Sequence, residues 1–267
     1  MSEHDGSRST GQQAASGAAL GKPDAPQLPR RFYKDVTVGE VPGSDGGAVF
    51  SVLLDGRPVK TPRKAVLAVP SQMLAEAVAE EWVMQGERID PSRMPLTRLV
   101  NSTIDVVLAN AEALRDEVVA YAMSDVLCYR AEAPTDLVLR QIEIWDPILD
   151  WAARALDAHF LTTAGIVHVT QRSETRDAIE VAVRRITGWR LGAVHLVTTL
   201  TGSAILALAL EAGRLDTSSA WSAAHVDEDF QIAQWGEDWE AAERRQRRWR
   251  DMEAAGRLLT DIPVSNR

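Results

Sequence analysis

The stretch LGAVHLVTTLTGSAILALAL, residues 191–210, runs for twenty residues without a formal charge. That length suffices to span a bilayer, and the interval from Gly192 to Gly202 offers small residues for close helix packing. Its reading decides between a membrane protein and a soluble fold built around one buried helix. Three features favour burial within protein. The stretch contains His195, three threonines, a serine and two glycines; its flanks show no strong charge asymmetry; and the other helical segments are amphipathic. Amphipathic helices pack around a water-excluding centre, and a helix that is apolar on all sides suits that centre. The expectation is one central buried helix, no membrane insertion, and neighbours that approach closely at its small residues.

Outward from this stretch the helical period persists. Ser71 is placed to cap QMLAEAVAEEWVMQ, which stops at Gly86. PLTRLVNSTIDVVLAN, ALRDEVVAYAMSDVLCYR, DLVLRQIEIWDPILDWAARALDAHF and ETRDAIEVAVRRIT follow, the last closed by Gly188. Within the fourth, Asp146-Pro147 reads either as the cap and first position of a new helix or as a kink. Before Pro70 the pattern is different. AVFSVLLDGRPVKTP places two apolar runs around Asp55-Gly56, a dipeptide suited to the positive φ values of a tight hairpin, and KAVLAVP supplies another short strand. The predicted fold class is α+β, a small N-terminal β-rich domain followed by a larger all-α C-terminal domain. The boundaries are a disordered tail at 1–30, a β-rich domain with one helix at 31–90, and a helical domain at 91–267. The tail lacks the continuous apolar core of a secretory signal, and a cytoplasmic location is expected.

Composition narrows the function classes. The 267 residues are 45% hydrophobic and 25% charged, with a net charge of −9, which argues against a general nucleic-acid binder. A single cysteine, Cys128, excludes an internal disulfide and multi-cysteine zinc sites, and it reads as a buried structural thiol. Phosphate-binding glycine loops, H-E-x-x-H and G-x-S-x-G are absent. His4 lies in the tail, and His159, His168, His195 and His225 stand apart without ligand-like spacing. No catalytic residue, metal or cofactor is expected. The enzymatic alternative is a hydrolase or transferase with an acidic pocket around Asp125 and Asp146, but paired carboxylates serve catalysis only when a pocket brings them together. The simpler roles are a helix cap for Asp146 and a buried, hydrogen-bonded acid for Asp125.

Residues 235–250, WGEDWEAAERRQRRWR, crowd three of the chain's eight tryptophans among acids and arginines. On one continuous helix, Trp235, Trp239, Ala242, Gln246 and Trp249 fall within about 80° of one another, with Ile232 extending the stripe. Arg244, Arg247 and Arg248 project from the opposite side with Glu237 and Glu240. The acid precedes the base in the pairs Glu240–Arg244 and Glu243–Arg247, the favourable order at this spacing. The expectation is a tryptophan stripe in the core and a charged outer face.

RRFYKDV, LDGRPVKTP, AEAVAEEW, PLTRLVNSTID, SDVLCYRAE, IWDPILDW and QWGEDWEA, in this order from about residue 31 to residue 249, resemble the F1-ATPase assembly chaperone family, in its bacterial form. The resemblance implies a non-enzymatic protein, monomeric when free. Its partner would be the unassembled F1 α subunit, whose β-facing surface it covers until displaced. Carried onto matching positions, it points to Glu240 as the foremost partner contact, with Glu237 and Asp238 as substitutes and Arg244 beside them. Arg57 and Lys60, next to the hairpin, are further contact candidates. Trp82 in AEEW is expected to anchor the first helix in the core, with Trp235 and Trp239 also structural. Arg98, Asn101 and Asp105 are expected to form a polar stripe at the domain junction.

Overall fold

The computed structural model describes residues 28–42, 48–186 and 188–262. Most of the expected tail at 1–30, with His4, lies outside the described residues. The chain begins with four strands: β1 (Val36–Pro42), β2 (Ala48–Leu54), β3 (Arg57–Pro58) and β4 (Ala68–Val69). β2 is central, antiparallel to β1 from Val36 opposite Leu54 to Pro42 opposite Ala48, and it also pairs with β3 and β4. The Asp55-Gly56 turn forms as its sequence requires, with φ of 49° and 77°, the two positive angles of a tight hairpin turn. The Asp55 carboxylate also accepts the backbone N–H groups of Lys34 and Asp35 at 3.0 and 2.9 Å, which tethers the chain entering β1.

Val52, Leu54, Leu67 and Val69 bury one face of this sheet. α1 (Gln72–Val83) covers it with Leu74, Ala75 and Val78. Ser71 caps α1, its hydroxyl accepting the N–H of Leu74 at 3.4 Å. Tyr33 donates its hydroxyl to the Trp82 carbonyl at 2.7 Å and stacks edge-on with the Trp82 indole, the ring centroids 5.7 Å apart.

The rest is almost entirely helical. A 3₁₀ turn at Pro91–Arg93 leads into α2 (Pro95–Ser102), a π-helical turn at Thr103–Val107 and α3 (Ala111–Ala122). β5 (Tyr129–Arg130) and β6 (Thr163–Ala164) form a short parallel pair on either side of α4 (Thr135–Leu156). α5 (Ser173–Arg184), α6 (Gly188–Thr201), α7 (Ala204–Glu211), α8 (Thr217–Ala224), α9 (Val226–Trp235) and α10 (Trp239–Asp261) complete the chain. The α+β arrangement expected from sequence is the one observed, with the β5–β6 pair as an addition. Among the described residues no helix is long and apolar enough to cross a membrane.

Two helix expectations need correction. Residues 191–210 are not one helix: they divide into α6 and α7 at Gly202, whose φ of 70° ends α6, and Ser203, whose hydroxyl accepts the Leu206 N–H at 3.0 Å. A glycine that ends one helix and a serine that caps the next convert a bilayer-length stretch into two shorter helices packed against each other. α7 is as buried as expected, with every residue from Ala204 to Leu210 inside, whereas α6 keeps one edge outward: Thr199 is exposed and His195, Leu196 and Leu200 are half-buried. Gly192 lets α6 approach its neighbour, since a Cβ there would sit 2.4 Å from the Thr103 hydroxyl. The second correction concerns ALRDEVVAYAMSDVLCYR, which leaves helix after Ala122 and continues as a 3₁₀ turn capped by Asp125.

Arg190 joins three elements at the start of α6. Nε donates to the Glu211 carboxylate at 2.8 Å and one terminal nitrogen to the Glu211 carbonyl at 2.9 Å. The other reaches the carbonyls of Leu259 and Ile262 at 2.8 and 2.6 Å, so one buried guanidinium holds the ends of α7 and α10.

Cys128 lies in the turn after Asp125, fully buried. Burial and the nearby Asp125 charge push its thiol up to about 12. A thiol that stays protonated is a poor nucleophile. Native protein at pH 8 is therefore expected to resist Ellman-type titration and to release one thiol only after denaturation; rapid native reaction would contradict this placement.

Candidate partner-binding surface

The tryptophan-rich segment folds differently from its helical-wheel pattern. α9 ends at Trp235 because Gly236 adopts φ 87°, donating its N–H to the Ile232 carbonyl at 2.8 Å. Asp238 is extended, and its carboxylate accepts the Ala241 N–H at 2.9 Å, so α10 starts afresh at Trp239. The 100° step that aligned the tryptophans is interrupted, and the stripe does not form. Trp235 is 80% exposed and Trp239 71%, which corrects their expected core role. Of the three, Trp249 alone packs inward, edge-on to Trp221 with ring centroids 5.4 Å apart.

The elbow between α9 and α10 is fastened by Arg245, which binds Asp229 at 2.5 Å and approaches Glu228 to 3.9 Å. It frames an open cleft of about 290 Å³ lined by Ile232, Trp235, Glu237, Asp238 and Arg245. The two expected helical pairs are present, Glu240–Arg244 at 3.8 Å and Glu243–Arg247 at 3.6 Å, all four side chains exposed. Glu237 is exposed and has no ion-pair partner among the described residues. The elbow therefore presents two bare indoles beside the carboxylates of Glu237, Asp238 and Glu240. Glu240→Lys is expected to change stability by less than about 1 kcal/mol, since an exposed pair contributes about 0.3–0.5 kcal/mol and the first-turn charge a similar amount. A thermal melt showing a much larger loss would make Glu240 structural.

The other residues singled out are dispersed. Arg57 and Lys60 line a separate cleft with the half-buried Trp82. Arg98 pairs with Asp251 of α10 at 2.5 Å, whereas Asp105 accepts the Thr61 hydroxyl at 2.7 Å and the Arg63 N–H at 3.1 Å. The Asn101 side-chain oxygen is buried without a partner. Asp105 thus ties the loop between β3 and β4 to the π-helical turn, while Arg98 ties α2 to α10.

The two acids of the enzymatic alternative are engaged separately. Asp146 lies within a continuous α4 and caps nothing; it pairs with Arg130 at 2.7 Å, which corrects its expected capping role. Pro147 is accommodated inside that helix, whose Trp145 donates Nε1–H to the Ala223 carbonyl at 2.7 Å. Asp125 is wholly buried and accepts from the Ser203 hydroxyl and the N–H groups of Ile205 and Leu127 at 3.0, 3.0 and 3.1 Å. It thereby joins the 3₁₀ turn to the start of α7. Burial outweighs these donors and pushes its carboxyl up to about 6. With the folded value above the unfolded one, stabilisation from the neutral acid is complete below about pH 4 and lost as pH rises through about 6, on the order of 3 kcal/mol. Urea melts are expected to show the parent losing stability of that order relative to Asp125→Asn between pH 4 and 7; parallel pH curves would contradict it.

Sequence reasoning missed that Trp235 and Trp239 belong to the surface. The signal was present in Trp-Gly-Glu-Asp: a helix-ending glycine followed by a capping aspartate.

The model of the family described as ATP12 chaperone protein matches residues 30–153. A crystal structure of a candidate chaperone from Agrobacterium tumefaciens is similar with a TM-score of 0.82 and 46% identity, covering 88% of this chain and 87% of that one. The crystal structure of Atp12 from Paracoccus denitrificans gives a TM-score of 0.78 and 39% identity, covering 87% and 97%. The mitochondrial protein atp12 of Schizosaccharomyces pombe is 26% identical over 219 residues, 78% of this chain and 74% of that protein.

Proposed function

Because the chain belongs to the ATP12 chaperone family, we propose that it is an assembly chaperone for the F1 sector of ATP synthase and holds the unassembled α subunit through the elbow between α9 and α10. The observation that carries the choice of surface is the pair of tryptophans, 80% and 71% exposed, set beside three carboxylates. Leaving two large indoles in water forfeits the burial that normally recruits such residues to a core. Tryptophan anchors ringed by charge are the usual composition of an interface centre.

The physics suits a temporary hold. An unassembled subunit exposes apolar surface that associates wrongly with its own kind. Aromatic anchors cover part of that surface, and exposed carboxylates accelerate encounter and set register without the burial of a permanent interface. A modest mixed patch binds firmly enough to prevent aggregation and is still outcompeted by the larger contact with the β subunit.

Isolated α subunit, warmed until it scatters light, is the test. The chain in molar excess is expected to suppress the scattering, with a blue shift in its tryptophan emission as Trp235 and Trp239 leave water. Unchanged scattering and emission would overturn the proposal.

A further inference from the structure

A cleft of about 560 Å³ lies apart from the elbow and is not explained by it. It lies on the N-terminal sheet, beside the Asp55-Gly56 turn. Tyr33 and Trp82 form its aromatic wall, and Phe32 stands at its edge 72% exposed, with its ring centroid 5.4 Å from that of Tyr33. The side chains flanking Phe32 are bonded to the end of α1: the Arg31 guanidinium donates to the Gln85 carbonyl at 2.6 Å and the Tyr33 hydroxyl to that of Trp82 at 2.7 Å. Phe32 is thereby held at the end of α1 that carries Val83 and Met84, 55% and 72% exposed. Three bare apolar side chains at one end of one helix exceed the scattered singles normal for a protein surface.

The same cleft is charged. Arg57 and Lys60 line it, both exposed and neither in an ion pair among the described residues. The lone acid of the cleft, Asp55, already accepts two backbone N–H groups. The cleft thus combines free cations with aromatic residues, the reverse in sign of the tryptophan elbow. An occupant matching both features carries an apolar or aromatic anchor next to carboxylates, because only such a segment covers the aromatic residues and neutralises the cations.

We propose that this cleft is a second docking site for the α subunit, taking an acidic segment with an apolar anchor, so that the chaperone grips its client at two places of opposite charge. Two weak contacts on one chain give a combined hold well above either alone, and the loss of one speeds release. A client held this way dissociates stepwise as the incoming subunit peels off one contact and then the other. The inference rests on the α-subunit reading above.

The experiment uses the full chain and isolated α subunit. Arg57→Glu combined with Lys60→Glu is expected to weaken capture about tenfold or more at low salt, with the deficit shrinking as ionic strength rises, while the melting temperature stays that of the parent. A photoreactive benzoylphenylalanine in place of Phe32 is expected to crosslink to the α subunit. If the parent captures α, and the double variant captures it equally with no crosslink from position 32, the cleft proposal falls and the elbow reading stands. A crosslink to a second copy of the chain in place of α also overturns it. If the parent captures no α at all, both readings fall together.

Discussion

Trp239→Ala leaves the folded protein nearly untouched and cripples its hold on the α subunit: this is the expected result, and it reverses what a core tryptophan does. A buried indole truncated to alanine costs about 3–5 kcal/mol of stability. Trp239, 71% exposed in the first turn of α10, has little of that burial to lose. Its replacement is expected to move folding stability by no more than about 0.5 kcal/mol, the range of ordinary surface substitutions. Binding behaves oppositely. An indole bare in the free chain and covered in the complex is a centre-of-interface anchor, whose truncation costs about 2 kcal/mol or more, a loss of roughly thirtyfold in affinity. Trp235→Ala, across Gly236, is expected to act in the same direction. Calorimetry against isolated α subunit and a thermal melt decide the matter together. A large drop in melting temperature with unchanged affinity would return Trp239 to the fold.

Arg190→Ala is expected to produce the largest loss of stability, with binding affected only as the folded population falls. The Arg190 side chain is 4% exposed and donates to one carboxylate and three carbonyls at the ends of α7 and α10. Removing it strands the largely buried Glu211 charge and leaves the Leu259 and Ile262 carbonyls without this donor. Breaking one side of a buried pair costs about 3–5 kcal/mol, whereas swapping the whole pair for apolar residues can be neutral. For a chain of this size each kcal/mol lowers the melting temperature by about 2–4 °C, so a drop on the order of 10 °C is expected. Arg190→Met with Glu211→Leu is expected to recover part of it, because the stranded charge goes too. A single variant that melts with the parent would show that solvent reaches this site.

Local chemistry was legible where one or two residues suffice to specify it. Asp55-Gly56 takes positive φ at both turn positions, and Ser71 caps the helix that follows it. The burial of most of residues 191–210 followed from the lack of charge together with the amphipathic character of the other helices. What periodicity could not show was where a helix stops. Gly202-Ser203 and Gly236 through Asp238 each fit the apolar pattern on both sides, yet each combines a left-handed glycine with a capping side chain. At the first site the break changes connectivity, while α7 stays wholly inside and α6 keeps most of its residues buried. At the second it changes exposure, because a reset of helical phase takes Trp235 and Trp239 out of the core. Asp125 was recognisable as a buried acid; its reach to Ser203 and Ile205, about eighty residues away in sequence, depends on tertiary contacts that no local pattern encodes. The same holds for Arg190, whose partners lie in two later helices.

The acidic pocket of the enzymatic alternative does not form. Asp125 and Asp146 are spent on separate structural bonds, and Cys128 is protonated and enclosed. The surface presents exposed indoles and carboxylates at the elbow, and aromatic residues with Arg57 and Lys60 at the sheet cleft, the two places proposed to meet the partner.

The central claim, a hold on the α subunit that yields to the β subunit, is tested most directly by size-exclusion chromatography of a preformed mixture. The chain and isolated α subunit are expected to co-elute as one complex. Adding β subunit is expected to move α into an α–β assembly while the chain returns to its free elution volume. Failure to co-elute with α, or a complex in which the chain remains bound after β has joined, would contradict the account.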